Sequence, residues 1–151
     1  MLLRTVDPTE PAIRRLVEKL DEYRKSLYPL KLTLIVPPEK LKSPQIIFLA
    51  AYENQQLLGC GGIDFTDPDY AEIRKMYVEP AARRKGVASL LLNALEQQAR
   101  QRQYHLICLE TGKFQEPAME LYQKHGYQPS KAFGSYQENP YSRYYSKTIA
   151  L

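Results

Sequence analysis

The sequence predicts a single α+β domain over residues 1–151, built on one mixed, mostly antiparallel central sheet with helices on both faces. Three observations predict it. The apolar runs Ile46 to Tyr52, Gln56 to Phe65 and Tyr70 to Val78 follow one another with only Glu53-Asn54-Gln55 and Asp67-Pro68-Asp69 as turns, which is the pattern of an antiparallel meander. Helical and strand patterns then alternate to the C-terminus. Finally, 151 residues of which 44% are hydrophobic supply one substantial core and leave little for a second.

Taken in order, Leu2 to Val6 reads as a first strand stopped by Asp7-Pro8. Asp7 or Thr9 is placed to cap a helix that tolerates Pro8 or Pro11 in its first turn, and Ile13, Leu16, Leu20 and Tyr23 form its apolar stripe to about Ser26. Tyr28-Pro29 breaks it. The stretch to Ser43, with Pro37 and Pro38, reads as a loop holding a short helix over Glu39 to Leu41; it is long for a compact domain, and long loops are often functional. Beyond the meander, a helix from Val87 is expected to bury Leu90, Leu91, Ala94 and Leu95 and to fray near Arg100 to Gln103. Leu106-Ile107-Cys108-Leu109 is apolar without alternation, as in a central strand covered on both faces. Glu116 to His125 reads as a helix carrying Met119, Leu121 and Tyr122 and stopped by Gly126; Tyr127 to Pro129 and Tyr141 to Ile149 supply the last strands.

A net charge of +4, with cations gathered at Arg74, Lys75 and Arg83 to Lys85, favours a small anionic ligand over a nucleic-acid track. Cys60 and Cys108 stand inside apolar runs with no metal-ligand spacing, so both read as small buried hydrophobes of a reducing compartment, and no metal site is expected. The apolar part of Met1 to Arg4 is too short for a signal peptide, and no run reaches membrane-spanning length. The expectation is a cytoplasmic protein without membrane or nucleic-acid partners.

The chemistry concentrates in Met76-Tyr77-Val78-Glu79-Pro80-Ala81-Ala82-Arg83-Arg84-Lys85-Gly86-Val87-Ala88, a strand end, a proline turn and a basic loop that opens a helix. The first turn of such a helix has unpaired N–H groups and a partial positive charge. Gly86 lets a bound group approach the backbone, Ala88 keeps the turn slim, and three cations stand alongside. A polyphosphate would suit this seat. A basic turn capped by glycine would look the same in isolation.

In context, the chain resembles the GNAT superfamily of N-acetyltransferases. The resemblance rests on Met76-Tyr77-Val78, Pro80, Arg83, Gly86 and Ala88, then Leu109-Glu110-Thr111-Gly112, then Ala118 to Tyr127, which matches the family's A-x-x-L-Y-x-K-x-G-(F/Y) helix. It is strongest from Gln56 to Tyr127. Ala88 stands where many members have glycine, and the tail Phe133 to Pro140 is similar to tails of bacterial members of undefined substrate. The resemblance implies acetyl-CoA as co-substrate. Its pantetheine arm would lie along the backbone of Met76, Tyr77 and Val78, and its pyrophosphate on the N–H groups from Arg84 through Gly86 and Val87 to Ala88. Arg83, Arg84 and Lys85 would add charge-assisted bonds.

Acetyl transfer to an amine needs a base, an oxyanion partner and a proton for the thiolate. Glu72, six residues before Val78, shares a face with it on a regular strand and is the candidate base; it also reads as a solvated sheet-surface carboxylate or as a partner of Arg74. Tyr122 occupies the position of the family's helix tyrosine, whose phenol, at a reference pKa of ~10 against ~8.5 for a thiol, would protonate the leaving group. The Val78 N–H would face the oxyanion. Glu110 is an alternative base or amine ligand, and His125 reads as a cation at a helix C-terminus. The acceptor, a small-molecule or peptide amine, is expected among Tyr23, Tyr28, Leu30, Tyr136, Tyr141 and Tyr144. A catalytically weak acyl-CoA-binding sensor is the competing reading, and a homodimer is left open.

Overall fold

Asn54 and Gln55 both adopt positive φ, 51° and 67°, the backbone that closes a two-residue hairpin whose twist matches its strands. That turn joins β2 (Ile46–Glu53) to β3 (Gln56–Asp64) in a computed structural model that describes residues 1–29, 31 and 36–150. β1 (Leu2–Thr5), α1 (Pro11–Leu27) and α2 (Pro38–Leu41) come before it. After it come β4 (Ala71–Val78), a 3-10 turn (Pro80–Ala82), α3 (Val87–Gln101), β5 (Leu106–Gly112), α4 (Glu116–Lys124), β6 (Gln128–Ser130) and β7 (Ser142–Thr148). The seven strands form one sheet in the order β1-β2-β3-β4-β5-β7-β6. Every neighbouring pair is antiparallel except β4 with β5, so the expected mixed, mostly antiparallel α+β sheet is what the chain forms.

The two faces have separate cores. Leu91, Leu92 and Leu95 of α3 and Tyr122 of α4 pack with Ile63, Ile73, Ile107 and Leu109 of the sheet. Ile13, Leu16 and Val17 of α1 and Leu41 of α2 cover Phe48, Ala50 and Cys60 on the other side. Two local expectations are corrected. α3 presents Val87, Leu91, Leu92, Leu95 and Ala99 to the sheet, leaving Leu90 and Ala94 half-buried at its flank. Asp7 caps nothing: its Oδ1 accepts from Thr9 N at 2.8 Å and Thr9 Oγ1 at 2.6 Å, closing a turn ahead of α1, where Pro11 follows an N-cap Glu10 that has no side-chain cap bond. Cys60 and Cys108 are buried and free, and burial pushes their thiols up to about 12 and about 11. No described helix is long and apolar enough to cross a membrane.

The feature that matters most for function is an irregularity in β4. Cys60 pairs with Tyr77 and Gly62 with Arg74, so Lys75 and Met76 together oppose Gly61, and Lys75 has a φ of 55°. This is a bulge, and it inverts side-chain alternation. Ala71 and Ile73 face α3 before it; Met76 and Val78 face α3 after it, while Tyr77 packs with the α1 core. Glu72 and Val78 therefore point to opposite faces, which corrects the inference from their even spacing.

Candidate functional site

The parallel pairing of β4 with β5 consists of Ala71 with Ile107 and Glu72 with Cys108, after which the strands part, although β4 continues to Val78 and β5 to Gly112. A wedge opens within the sheet. Gly59 lies opposite Val78, and Glu79 N donates to Leu58 O at 2.8 Å, so ladder alternation turns the N–H and C=O of Val78 away from β3 and into the wedge. Met76 lies two residues earlier on the same edge. Arg83 Nε donates to the Val78 carbonyl at 3.0 Å, with its guanidinium 5.6 Å from the Tyr77 ring centre.

The wedge leads to the start of α3. Arg84 has a φ of 64° and Gly86, the N-cap, a φ of 82°; the first turn holds no side-chain cap and no acidic residue. A Cβ on Gly86 would meet nothing within 4 Å, so its backbone faces open space. Arg83, Arg84 and Lys85 are exposed, Val87 is buried beneath the turn and Ala88 is half-buried. Of the nine cofactor candidates, Met76 and Val78 contribute backbone edge and Arg83, Arg84, Lys85 and Gly86 are exposed, with Ala88 half-buried beside them, whereas Val87 is buried and Tyr77 packs toward the α1 core.

On the α1 face, beside the wedge, lies a cavity of about 360 Å³ bordered by α1, β4, β5 and the segment before β7. Leu20, Asp21 and Arg24 reach it from α1, Glu72, Arg74 and Lys75 from β4, and Glu110 from β5, with Tyr136 and Tyr144 completing the wall. The expected aromatic cage is therefore largely a charged one. Of the tyrosines assigned to it, Tyr23 is 44% exposed on the outer surface. Tyr28 is buried away from the cavity, accepting from Phe114 N at 3.1 Å and donating to Gln115 Oε1 at 3.2 Å. Tyr141 packs on Tyr28 and Phe114, and Leu30 lies outside the described residues.

Glu72 accepts a 2.6 Å hydrogen bond from the Tyr136 hydroxyl. Burial raises its carboxyl above the usual range, with the Tyr136 bond and the Arg74 charge opposing that rise. Arg74 instead pairs with Asp64 at 3.4 Å, so Glu72 is not the ion-paired surface residue of the alternative reading. Glu110 is fully engaged: Arg24 Nη2 reaches its two oxygens at 3.0 and 3.1 Å, and Ser142 Oγ donates at 2.9 Å. Lys75 Nζ holds Asp21 at 2.8 Å.

Tyr122 stands on the α3 and α4 face, 6% exposed and edge-on to Tyr127. Burial pushes its phenol well above the ordinary value, with Arg24 pulling down and Glu110 pushing up. The similarity of phenol and thiol acidities assumed from reference values is therefore lost, and the group is suited to donate a hydrogen bond rather than to give up its proton outright. His125 closes the C-terminus of α4 as expected, with Nε2 2.9 Å from Ser89 Oγ, but burial lowers its pKa and disfavours the cationic form.

Sequence reasoning did not find the contacts that organise the cavity, Tyr136 with Glu72, Arg24 with Glu110 and Lys75 with Asp21. One of them had a readable signal: Leu20, Asp21 and Arg24 share a helix face at spacings of one, three and four. Among the described residues, no group of three or more His, Cys, Asp or Glu side chains could hold a metal ion.

Residues 12–127 match the acetyltransferase (GNAT) family. The chain is 34% identical over 143 residues to the IAA acetyltransferase of Azospirillum brasilense, covering 94% of each chain. It is 34% identical over 146 residues to the uncharacterized N-acetyltransferase YsnE of Bacillus subtilis, covering 90% of this chain and 93% of that one. A solved structure from Klebsiella pneumoniae subsp. pneumoniae, described as an acyl-CoA N-acyltransferase, superposes with a TM-score of 0.84 at 33% identity over 99% of this chain and 97% of its own.

Proposed function

The chain belongs to the acetyltransferase (GNAT) family, and from that premise we propose that it moves an acetyl group from acetyl-CoA to a primary amine of a small molecule or peptide, by direct attack in a ternary complex. One observation carries the proposal. The β4–β5 wedge, with strand-edge backbone along one side and an uncapped helix start at its end, opens beside a cavity whose wall holds a carboxylate of raised pKa. The relatives' descriptions as N-acetyltransferases and an acyl-CoA N-acyltransferase support it.

The residues fit the co-substrate. Pantetheine amides would bond to Met76 and Val78 as an added strand does, with Arg83 released from the Val78 carbonyl toward the phosphates. The N–H groups from Arg84 to Ala88 would take the pyrophosphate, Gly86 giving it room and Arg84 and Lys85 adding charge. Tyr77 and Val87 hold the two ends of this surface through packing, against α1 and under α3. Acetyl-CoA supplies the thioester carbon. Glu72 takes the proton from the incoming ammonium, its raised pKa bringing it nearer to the operating pH of a general base. The freed amine would add to the thioester carbon with the Val78 N–H facing the developing oxyanion; the C–S bond would then break, and the departing sulfur, hydrogen-bonded by the Tyr122 hydroxyl, would take the second proton that the nitrogen gives up.

The test is thiol release from acetyl-CoA against a panel of amines and peptides. Amine-dependent release is the expected result. Acetyl-CoA binding without release for any amine would sink the enzymatic reading and leave a sensor.

A further inference from the structure

Resting on the acetyltransferase reading, we infer that the acceptor carries a carboxylate close to its amine and that Arg74 reads it. The cavity wall contains three carboxylates and four cations: Asp21, Glu72 and Glu110 against Arg24, Lys31, Arg74 and Lys75. Two of the carboxylates are neutralised in place, Glu110 by Arg24 at 3.0 Å and Asp21 by Lys75 at 2.8 Å, with side chains that are mostly buried. Among the described residues, Glu72 is the lining carboxylate without a cation within ion-pair distance, so the ammonium has one seat.

Arg74 is the matching loose end on the other sign. It lies two residues along β4 from Glu72, before the bulge, and therefore on the same face, about 7 Å away along the strand. Its side chain is 25% exposed, yet among the described residues its hydrogen bonding amounts to one long contact, Nη1 to Asp64 Oδ2 at 3.4 Å. The other oxygen of Asp64 is taken by the backbone and hydroxyl of Thr66. A guanidinium has five donors in a planar fork that suits a carboxylate, and keeping most of them unanswered in a partly buried wall is costly. An ammonium at Glu72 and a carboxylate at Arg74 satisfy both residues with one small zwitterion, and about 360 Å³ holds an amino acid or short peptide. A polyamine would bring further positive charge to a wall that already holds four cations against three carboxylates, and an amino sugar, having no carboxylate, would leave Arg74 unanswered.

The experiment measures transfer from acetyl-CoA to the common α-amino acids, each beside its carboxamide and its decarboxylated amine. The best acceptor is an acid that exceeds its carboxamide in kcat/KM by at least roughly tenfold, the lower end of what a hydrogen bond to a charged group provides. Arg74→Gln removes that preference chiefly through KM, and Arg74→Lys restores part of it. Carboxamides accepted as well as acids by the wild-type protein, a comparison independent of any variant's folding, overturn the inference. So does a preference that survives Arg74→Gln in a protein with an unchanged melting profile. Transfer to no member of the panel by a protein that binds acetyl-CoA overturns the acceptor assignment alone; failure to bind acetyl-CoA overturns the acetyltransferase reading with it.

Discussion

Exchanging Glu72 for Gln preserves the side chain's shape and its acceptor oxygen for the Tyr136 hydroxyl, and removes a charge from a wall where burial disfavours charge. The two effects have opposite signs. Folding raises the Glu72 carboxyl above its unfolded value, so between the two values the folded state binds more protons than the unfolded state. Stability then falls as pH rises through that window, is unaffected by this group below it, and carries the full loss above it. Each pKa unit of such a rise is about 1.4 kcal/mol. Tyr136 and Arg74 oppose the desolvation without cancelling it, so the Gln variant should melt above wild type, each kcal/mol of relief being worth roughly 2–4 °C in Tm for a chain of this size. Melts at about pH 8 should show that gain, and melts at about pH 4, near the ordinary glutamate value, should show it shrinking. At the same time kcat/KM should drop by ~10²–10⁴, the usual worth of a positioned base. A Gln variant that melts below wild type at the higher pH, or keeps activity within about threefold, would refute the placement of a buried base without an ion-pair partner at Glu72.

Three further changes probe the remaining parts. Tyr122→Phe should lower kcat by roughly 10–100-fold with acetyl-CoA affinity unchanged, because the hydroxyl is assigned to the departing sulfur and the ring to the core; calorimetry showing an equal loss of affinity would place the hydroxyl in binding instead. Gly86→Val puts a β-branched residue at a φ of 82°, which costs ~1–2 kcal/mol of stability but clashes with nothing, so the protein should fold and lose acetyl-CoA affinity by more than about tenfold. Retained affinity in the folded variant would remove this turn from the cofactor site. Gly112→Ala drives a Cβ into the Tyr28 hydroxyl and the ring carbons beside it and should destabilise by ~1–3 kcal/mol; combined with Tyr28→Ala, which removes the whole ring, it should cost less than the sum of the two single changes, and strict additivity in denaturant melts would contradict the contact.

Elements and their order were legible because each is signalled locally. The hairpin announces itself by Asn54-Gln55 between apolar runs, and β5 by an unbroken apolar string that two covered faces require. The stretch proposed to hold the cofactor could be singled out for the same reason: a strand end, a glycine and a helix start are adjacent in sequence. The cavity proposed for the acceptor was not legible, since Arg24 meets Glu110 across 86 residues and Tyr136 meets Glu72 across 64, and no local pattern encodes such pairings. The Glu72 face was misjudged for a third reason. Even spacing is a rule for regular strands, and nothing in Arg74-Lys75-Met76 marks a left-handed lysine.

That lysine links the two halves of the site. A non-glycine residue at φ 55° is strained and persists only where its surroundings hold it. Here they do, since Lys75 Nζ is tied to Asp21 on α1, both side chains are nearly buried, and the Lys75 carbonyl lies 3.6 Å from Cys60 Sγ. The added residue turns the backbone edge of Met76 and Val78 toward the wedge while leaving Glu72 and Arg74 on the α1 face. Asp21 lies one turn of α1 from the Arg24 that grips Glu110 on the far side of the gap. The contacts fixing the bulge therefore also fix the helix that walls the charged cavity. A strand without the bulge would present Glu72 and Val78 on one face and continue its ladder with β5, leaving neither a wedge for a thioester nor a carboxylate set across the sheet from the Tyr122 ring.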